Sequence, residues 1–350
     1  MGAKIPVGVL GATGAVGQKF IRLLEDHPWF EVTAVAASER TAGRLYGEVV
    51  SWKQNTPIPH AVRQLRVLPC SPGMDCRIVF SGLDASVAGP IEEEFARAGC
   101  VVLSNSRNHR LEADVPLVIP EVNPDHLALI PIQRSNRGSK GYIVTNSNCS
   151  TMFLAMALAP LHREYTVEKV LVTTMQAISG AGYPGVPSLD ILGNVIPFIG
   201  GEEEKMEVET RKILGRFNGS SVDFADFAVS AQCNRVPVED GHTESVSVRL
   251  RSRTTAGEMV ELMKQYSGPP QRLGLPSAPE RPLVVMEAQD RPQPRFDVNH
   301  SKGMATLIGR IRECSVLDFK FTILGHNTVR GAAGASILNA EFLKAEGLLD

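Results

Sequence analysis

The chain has 350 residues, 43% hydrophobic and 21% charged, with 36 Lys and Arg against 38 Asp and Glu for a formal net charge of −2. That balance offers no basic field for nucleic acid or an anionic membrane surface; no apolar run approaches the ~20 residues that cross a bilayer, and MGAKIPVGVLGATG lacks a secretory leader's pattern, so a cytosolic protein is expected. A chain of this length exceeds one small core and is expected to form two domains.

IPVGVL at 5–10 is a short, β-branched apolar run that reads as a buried strand. GATGAVG follows, then QKFIRLLEDHP, in which Phe20, Ile21, Leu23 and Leu24 share one helical face. EVTAVAAS reads as a second buried strand. Strand, glycine turn, helix and strand is how a doubly wound parallel sheet begins. Gly11, Gly14 and Gly17 are spaced G-x-x-G-x-x-G. Glycine lets the backbone approach a pyrophosphate, and the helix start beyond it offers unpaired N–H donors.

The second strand ends at Ala36-Ala37, where an NAD site usually keeps an acid; Ser38, Arg40 and Thr41 follow instead. Two hydroxyls and a fixed positive charge suit a 2′-phosphate, so NADP is expected. In an extended turn, inward Ser38 and Arg40 send Glu39 to solvent; the alternative is that Glu39 itself faces the ribose. CRIVFSGL (76–83) and GCVVLSNS (99–106) read as further strands around the helical PIEEEFARAG, and PLVIPEVN and GYIVTNSN complete the domain.

TNSNCST then sets Cys149 between a strand and an apolar helix, with Asn148 or Ser150 available as its N-cap. Free N–H groups at a helix start favour thiolate and can donate to an oxyanion. Cys70, Cys76, Cys100, Cys233 and Cys314 form no C-x-x-C pair and no zinc spacing with histidine. They are expected to be small buried hydrophobes, and no metal is expected. Downstream, VEKVLVTTMQAIS (167–179), FAVSAQCNRVPV (227–238) and TESVSVRLRS (243–252) alternate as antiparallel strands do, which predicts a mixed α+β second domain. The Pro-rich stretch 268–294 reads as loop and HNTVRGAAGASILNAEFLKAEGLL as a terminal helix. Of eight histidines, His242, in a turn between two strands, is the best base for Cys149; by itself it also reads as a surface turn residue.

GATGAVGQKF, TNSNCST, TTMQAISGAGYPGVPSLD, GGEEEKMEVETRKILG, CNRVPVEDGHTESVSVRL, KGMATLIGRIREC and GHNTVRGAAGASILNAE, in that order, resemble the aspartate-semialdehyde dehydrogenase family, in its archaeal and fungal branch, from about residue 5 to residue 343. The resemblance implies an α/β chain. A Rossmann-type doubly wound parallel sheet would occupy 1–148 and a mixed α+β catalytic and dimerisation domain 149–326. A C-terminal helix, 327–350, would return to the first domain. It implies reductive dephosphorylation of L-aspartyl-4-phosphate by NADPH to aspartate 4-semialdehyde and phosphate, a step towards lysine, threonine and methionine. The partners implied are these small molecules and a second copy of the chain, as a homodimer or homotetramer.

Carried over residue by residue, the acylated cysteine falls on Cys149 and the acid/base histidine on His242. Gln176 matches the glutamine that orients the acyl group, and Arg235 the arginine for the α-carboxylate. Glu202, or a neighbour in its run of three glutamates, matches the residue that meets the α-amino group. Lys205 and Arg110 match the phosphate pair. For NADP(H) the resemblance implies Gly11, Thr13, Gly14, Ala15, Val16, Ser38, Arg40, Thr41, Ser81, Ser179, Gly180 and Asn327.

Two features depart from the family pattern: Met152-Phe153 where small residues are usual, and Arg330 where an apolar residue is expected near the cofactor. N-acetyl-glutamyl-phosphate reductase and phosphorylating glyceraldehyde-3-phosphate dehydrogenase share the thioester logic, but NRVPVEDGH fits the amino-acid semialdehyde enzyme better. A non-catalytic NADPH sensor would need none of Cys149, Gln176, Arg235 and His242.

Overall fold

The computed structural model describes residues 3–349. β1 (Ile5–Leu10), β2 (Phe30–Ala37), β3 (Val67–Pro69), β4 (Ile78–Ser81), β5 (Val101–Ser104) and β6 (Tyr142–Thr145) form one sheet in the order β3-β2-β1-β4-β5-β6. Every pair is parallel. Covered on both faces, β4, β5 and β6 are buried at every position, which is why they are uninterrupted apolar runs closed by a small polar residue. Strand order reverses between β1 and β4, whose ends Leu10 and Ser81 pair in register. Doubly wound sheets bind ligands in the crevice beyond such a switch point. Helix α1 (Ala15–Leu24) packs Phe20, Ile21 and Leu24 onto this sheet, with the Phe20 and Phe80 rings 5.0 Å apart.

PLVIPEVN is not a strand. Leu117 makes one parallel bridge to Thr145, and the chain then turns around Asn123, which accepts from Ile119 N–H and donates to Leu117 C=O, both at 2.8 Å. Pro116 and Pro120 remove two of the N–H donors that a ladder would need.

The second sheet runs β10-β7-β11-β14-β13-β12. Its strands are β7 (Val167–Gln176), β10 (Ala228–Arg235), β11 (His242–Leu250), β12 (Leu283–Met286), β13 (Thr306–Glu313) and β14 (Phe319–Gly325), with β8 (Arg216–Phe217) and β9 (Val222–Asp223) forming a separate hairpin. β11 lies antiparallel to β7 and β14 as expected, but β10 is parallel to β7. The long connection between them, containing a helix over Glu202–Ile213, is a crossover rather than a hairpin. From that helix Glu203 and Glu207 accept the Cys233 and Ala231 N–H groups, so the β10 edge is covered. The 268–294 stretch is not all loop: LVVM within it is β12, parallel to β13.

A helix over Cys149–Tyr165 is buried at every position from Ser150 to Leu161. It shares a core with Val170, Val172, Val246, Val248, Phe321 and Ile323 on one face of the second sheet. The last helix, Gly334–Ala345, preceded by a wider π-helical turn at Val329–Ala333, puts Ile337, Leu338 and Phe342 in the core of Val7, Val9, Phe20 and Phe80.

The two departures are accommodated by neighbours. Met152 and Phe153 are fully buried. The Phe153 ring occupies space that a side chain at Gly325 would fill, and a Cβ on Gly331 would lie 3.4 Å from its tip. Arg330 does not face the cofactor crevice: it is 1% exposed, and Nη2 donates to Glu121 at 2.7 Å.

Candidate active site

Cys149 opens the Cys149–Tyr165 helix, here α2, and is half-buried. Asn148 is the N-cap; its Oδ1 accepts from Ser150 N–H at 3.0 Å and Thr151 N–H at 3.1 Å. Two carboxylates from Glu202–Ile213, here α3, hold this cap in turn. Glu202 accepts from Asn148 Nδ2 at 2.8 and 3.0 Å, and Glu209 accepts the Asn148 backbone N–H at 2.6 Å. Gly331 closes the other side, where a Cβ would stand 2.8 Å from that of Cys149. Burial pushes the Cys149 thiol up to about 12 and Glu202 adds to this, while Arg110 and Arg235 oppose. The resting nucleophile is therefore a thiol.

Glu202 joins three site residues. Besides Asn148 it accepts from Gln176 Nε2 at 3.2 Å and from Lys205 Nζ at 2.7 Å. Burial alone would raise its carboxyl, but the Lys205 charge and these hydrogen bonds outweigh it and hold Glu202 below the ordinary value. It is an anion at neutral pH. Arg110 is buried and donates from Nη1 to Glu209 at 3.0 Å and from Nη2 to Asn105 C=O at 2.8 Å.

Arg235 ends β10 and His242 begins β11, and the two meet beneath Gly180. A Cβ built on Gly180 would lie 2.9 Å from Arg235 Nη1 and 3.1 Å from His242 Cε1. Only glycine leaves that space open. Arg235 Nη1 donates to Ala177 C=O at 2.8 Å. The Ala177 N–H donates to His242 Nδ1 at 3.0 Å, which fixes the neutral ring with its proton on Nε2, and among the described residues Nε2 has no partner. His242 is fully buried, not a surface turn residue. Burial first, then the Arg235 charge, push its pKa down to about 3.

At the switch point the backbone fits a dinucleotide. Gly11 has φ +70°, and its Cβ would come within 2.8 Å of Gly82 C=O. A Cβ on Gly17 would strike the Gly11 carbonyl. No side chain caps α1 at Gly14, so the N–H groups around Ala15 and Val16 have no side-chain acceptor among the described residues, as at helix starts that take anions. Ser81 is fully buried at the end of β4. Across the crevice Asn327 donates to Ser179 Oγ at 2.8 Å and accepts Gly241 N–H at 2.9 Å, tying the 179–180 segment to the turn before His242.

Residues 38–41 do not continue as extended chain. Thr41 donates from both N–H (3.0 Å) and Oγ1 (2.9 Å) to Ser38 C=O, so they form a turn. Ser38, Glu39 and Arg40 are all exposed. The expected alternation that would send only Glu39 to solvent does not apply.

Glu93, His109 and Glu112 bring three ligand atoms within 4.8 Å of one another. Glu112 is taken by His109 at 2.7 Å and by Arg137 at 2.5 Å, as in an ion-pair network. Among the described residues no helix is long and apolar enough to cross a membrane.

Glu209, the Ala177 N–H and the Arg330–Glu121 pair were not expected from sequence. For Glu209 a signal existed. Glu202, Lys205, Glu209 and Lys212 recur at helical spacing on one face of α3, and that charged stripe reads as solvated. Instead it turns inward: Lys212 is 1% exposed and donates to the carbonyls of Arg110, Glu112 and Val115 at 2.7, 2.9 and 3.1 Å.

Residues 6–130 match the family model described as semialdehyde dehydrogenase, NAD binding domain, and residues 158–330 the one described as semialdehyde dehydrogenase, dimerisation domain. The chain is 52% identical to the aspartate-semialdehyde dehydrogenase of Archaeoglobus fulgidus and 51% to that of Schizosaccharomyces pombe, each over 98% of this chain and 99% of the relative. The crystal structure of the Candida albicans aspartate-semialdehyde dehydrogenase with NADP matches with TM-score 0.91 at 45% identity, over 99% of this chain and 100% of that one. Aspartate-semialdehyde dehydrogenase II of Vibrio cholerae, complexed with ASA, matches with TM-score 0.78 at 27% identity, over 99% of both chains.

Proposed function

The chain belongs to the aspartate-semialdehyde dehydrogenase family, and from that membership we propose how its residues divide the work. The family's reaction, a step in the synthesis of aspartate-derived amino acids, is the NADP-dependent reductive dephosphorylation of aspartyl-4-phosphate to aspartate 4-semialdehyde. The domains divide at 148/149 and at 326/327. NADP is held by the backbone of Gly11, Thr13, Gly14, Ala15 and Val16, by Ser81, by Ser179, Gly180 and Asn327, and at its 2′-phosphate by Ser38, Arg40 and Thr41. When bound, its reduced nicotinamide supplies the hydride that turns the acyl group into an aldehyde.

Cys149 attacks the acyl phosphate carbon, its sulfur displacing phosphate. The thiol proton leaves on the phosphate dianion, so HPO₄²⁻ departs and the acyl group is left as a thioester. Gln176 orients that group. His242 donates from Nε2–H to the acyl oxygen as negative charge develops there, and when the C–S bond breaks the departing Cys149 thiolate takes a proton from solvent and returns to the thiol. In the oxidative direction the family role, in which the histidine takes the thiol proton, needs the other tautomer. Moving the proton to Nδ1 forfeits the Ala177 hydrogen bond at a cost of about 1–3 kcal/mol. The donor role carries no such cost, and we assign it to His242.

Arg235 binds the α-carboxylate. Glu202, ionised, accepts the α-ammonium group and in doing so releases Lys205 to join Arg110 at the phosphate. What carries the reading is one arrangement: a half-buried thiol at a helix start, with an ionised carboxylate and its lysine partner on one side and Arg235 with a proton-bearing His242 on the other. Intact-protein mass spectrometry during turnover tests it. An acyl adduct on Cys149 that is lost in Cys149→Ser is the expected result; an adduct on another cysteine refutes the assignment.

The dimerisation-domain match supports self-association, and we assign the contact to residues 183–198. Leu189 is 92% exposed and Phe198 69%, and Leu192 and Val195 are also exposed. Ile196 in this segment exchanges backbone hydrogen bonds with Arg235 at 2.9 and 3.0 Å. A dimer formed here braces the carboxylate site. Sedimentation of Leu189→Asp as monomers is the expected outcome; an unchanged assembly places the interface elsewhere.

A further inference from the structure

The two cations assigned to the phosphate are each neutralised in the resting protein: Lys205 pairs with Glu202 at 2.7 Å and Arg110 with Glu209 at 3.0 Å. Arg235 is committed to the carboxylate. Until the substrate ammonium draws Glu202 away from Lys205, a phosphate dianion entering this corner meets pairs of zero net charge unless a further cation faces it. Arg107 stands there. It lies one turn before Arg110, whose N–H donates to the Arg107 carbonyl at 3.4 Å. Its side chain is exposed and enters no ion pair among the described residues. The carboxylate in its field, Asp84, is already engaged by Ser86 N–H and O–H at 2.9 and 2.6 Å.

The position of its guanidinium is specific. Gly201, the N-cap of α3, has φ +68° and no capping side chain. A methyl group built on it would lie 3.9 Å from Arg107 Nη1 and 3.9 Å from Lys205 Cε. Arg107 and Lys205 thus flank one gap, whose floor is glycine backbone. Among the described residues it packs against no core cluster and caps no helix, so packing does not account for an arginine here.

We propose that Arg107 is a third phosphate-binding residue, reaching across Gly201 to hold the outer oxygens of the substrate phosphate while Lys205 and Arg110 hold the inner ones. This rests on the assignment of Lys205 to phosphate made above. As the exposed member, Arg107 meets the anion first, and its weight falls on capture rather than on the chemistry at Cys149.

The test uses the whole enzyme in the oxidative direction with inorganic phosphate varied, comparing Arg107→Gln, Arg107→Lys and Lys205→Ala. Arg107→Gln should raise KM for phosphate about fivefold, the weight of one partly exposed charge pair, and more than it raises KM for the semialdehyde or NADP. Arg107→Lys should recover part of the loss. An unchanged phosphate KM in Arg107→Gln beside a raised one in Lys205→Ala overturns the role of Arg107 alone. Unchanged values in both overturn the phosphate assignment of Lys205 as well. A rise confined to KM for NADP also overturns the proposal, because it makes Arg107 a cofactor contact.

Discussion

Arg330 donates from Nη2 to Glu121 at 2.7 Å, and both side chains are sealed from solvent at 1% and 0% exposure. The pair joins the turn that carries Gly331, packed on Cys149, to the buried loop after β6's partner Leu117. Removing one member strands a charge in the interior, at a cost of roughly 3–5 kcal/mol. Removing both leaves a volume defect but no orphan charge. Arg330→Met and Glu121→Leu should each lower the urea midpoint substantially, and the double variant should recover part of the loss. A double variant as unstable as the sum of the singles would mean that the two residues do not act as a pair.

His242 makes a claim about pH. Its pKa, pushed down to about 3, leaves the ring neutral throughout the working range, with the proton on Nε2. Lowering pH from 8 to 5 therefore does not charge it. The expected pH profile of kcat/KM has no inflection near 6–7 that belongs to His242. His242→Gln, which keeps an N–H donor and has no base, should retain about tenfold more activity than His242→Ala. An inflection near 6.5 in the wild type that vanishes in His242→Gln would show a titrating base instead.

Glu244, two residues along β11, lies opposite Thr174 and has both carboxyl oxygens buried without a partner among the described residues. Burial raises its pKa well above the ordinary 4.5. Below that value both folded and unfolded chains hold the proton, and Glu244 contributes no pH dependence. Above it the unfolded chain releases the proton and the folded one keeps it, so stability falls with rising pH by up to about 1.4 kcal/mol per unit until the folded pKa is passed. Glu244→Gln lacks this term. Its midpoint relative to wild type should climb as the pH rises above 5, until the folded pKa is passed; a constant offset would mean that Glu244 is ionised in the folded protein.

What was legible in the sequence follows from range. IPVGVL, GATGAVG and the Asn148–Cys149 helix start are local patterns: buried strand, tight turn and N-cap each declare themselves within a few residues. The parallel pairing of β10 with β7 was not legible, because alternation of side chains is the same in both orientations and only the intervening α3 decides. Nor was the partner of Arg330, which is Glu121, brought to it by the last helix packing back on the first domain. The inward face of α3 was misleading for a different reason. Its glutamates and lysines are charged, as a solvated face would be, yet each finds a buried carbonyl, amide or opposite charge.

The turn after β2 carries the last prediction. Ser38, Glu39 and Arg40 are all exposed, in a turn closed by Thr41 onto the Ser38 carbonyl, at the end of the strand beside the glycine loop. A 2′-phosphate here gains the Arg40 charge, the Ser38 hydroxyl and, once it turns away from the Ser38 carbonyl, the Thr41 hydroxyl, and it is repelled by Glu39, which nothing in the turn directs away. Screening by solvent trims each interaction, leaving a preference of roughly fivefold for NADP over NAD from Arg40. Arg40→Ala should lower kcat/KM for NADP by about that factor and leave NAD nearly unchanged, since NAD has no phosphate to lose. Glu39→Gln should move NADP in the opposite direction by a few-fold. Equal losses for both cofactors in Arg40→Ala would show that Arg40 supports the turn and does not read the phosphate. A Glu39→Gln variant with unaltered NADP kinetics would show that Glu39 keeps clear of it.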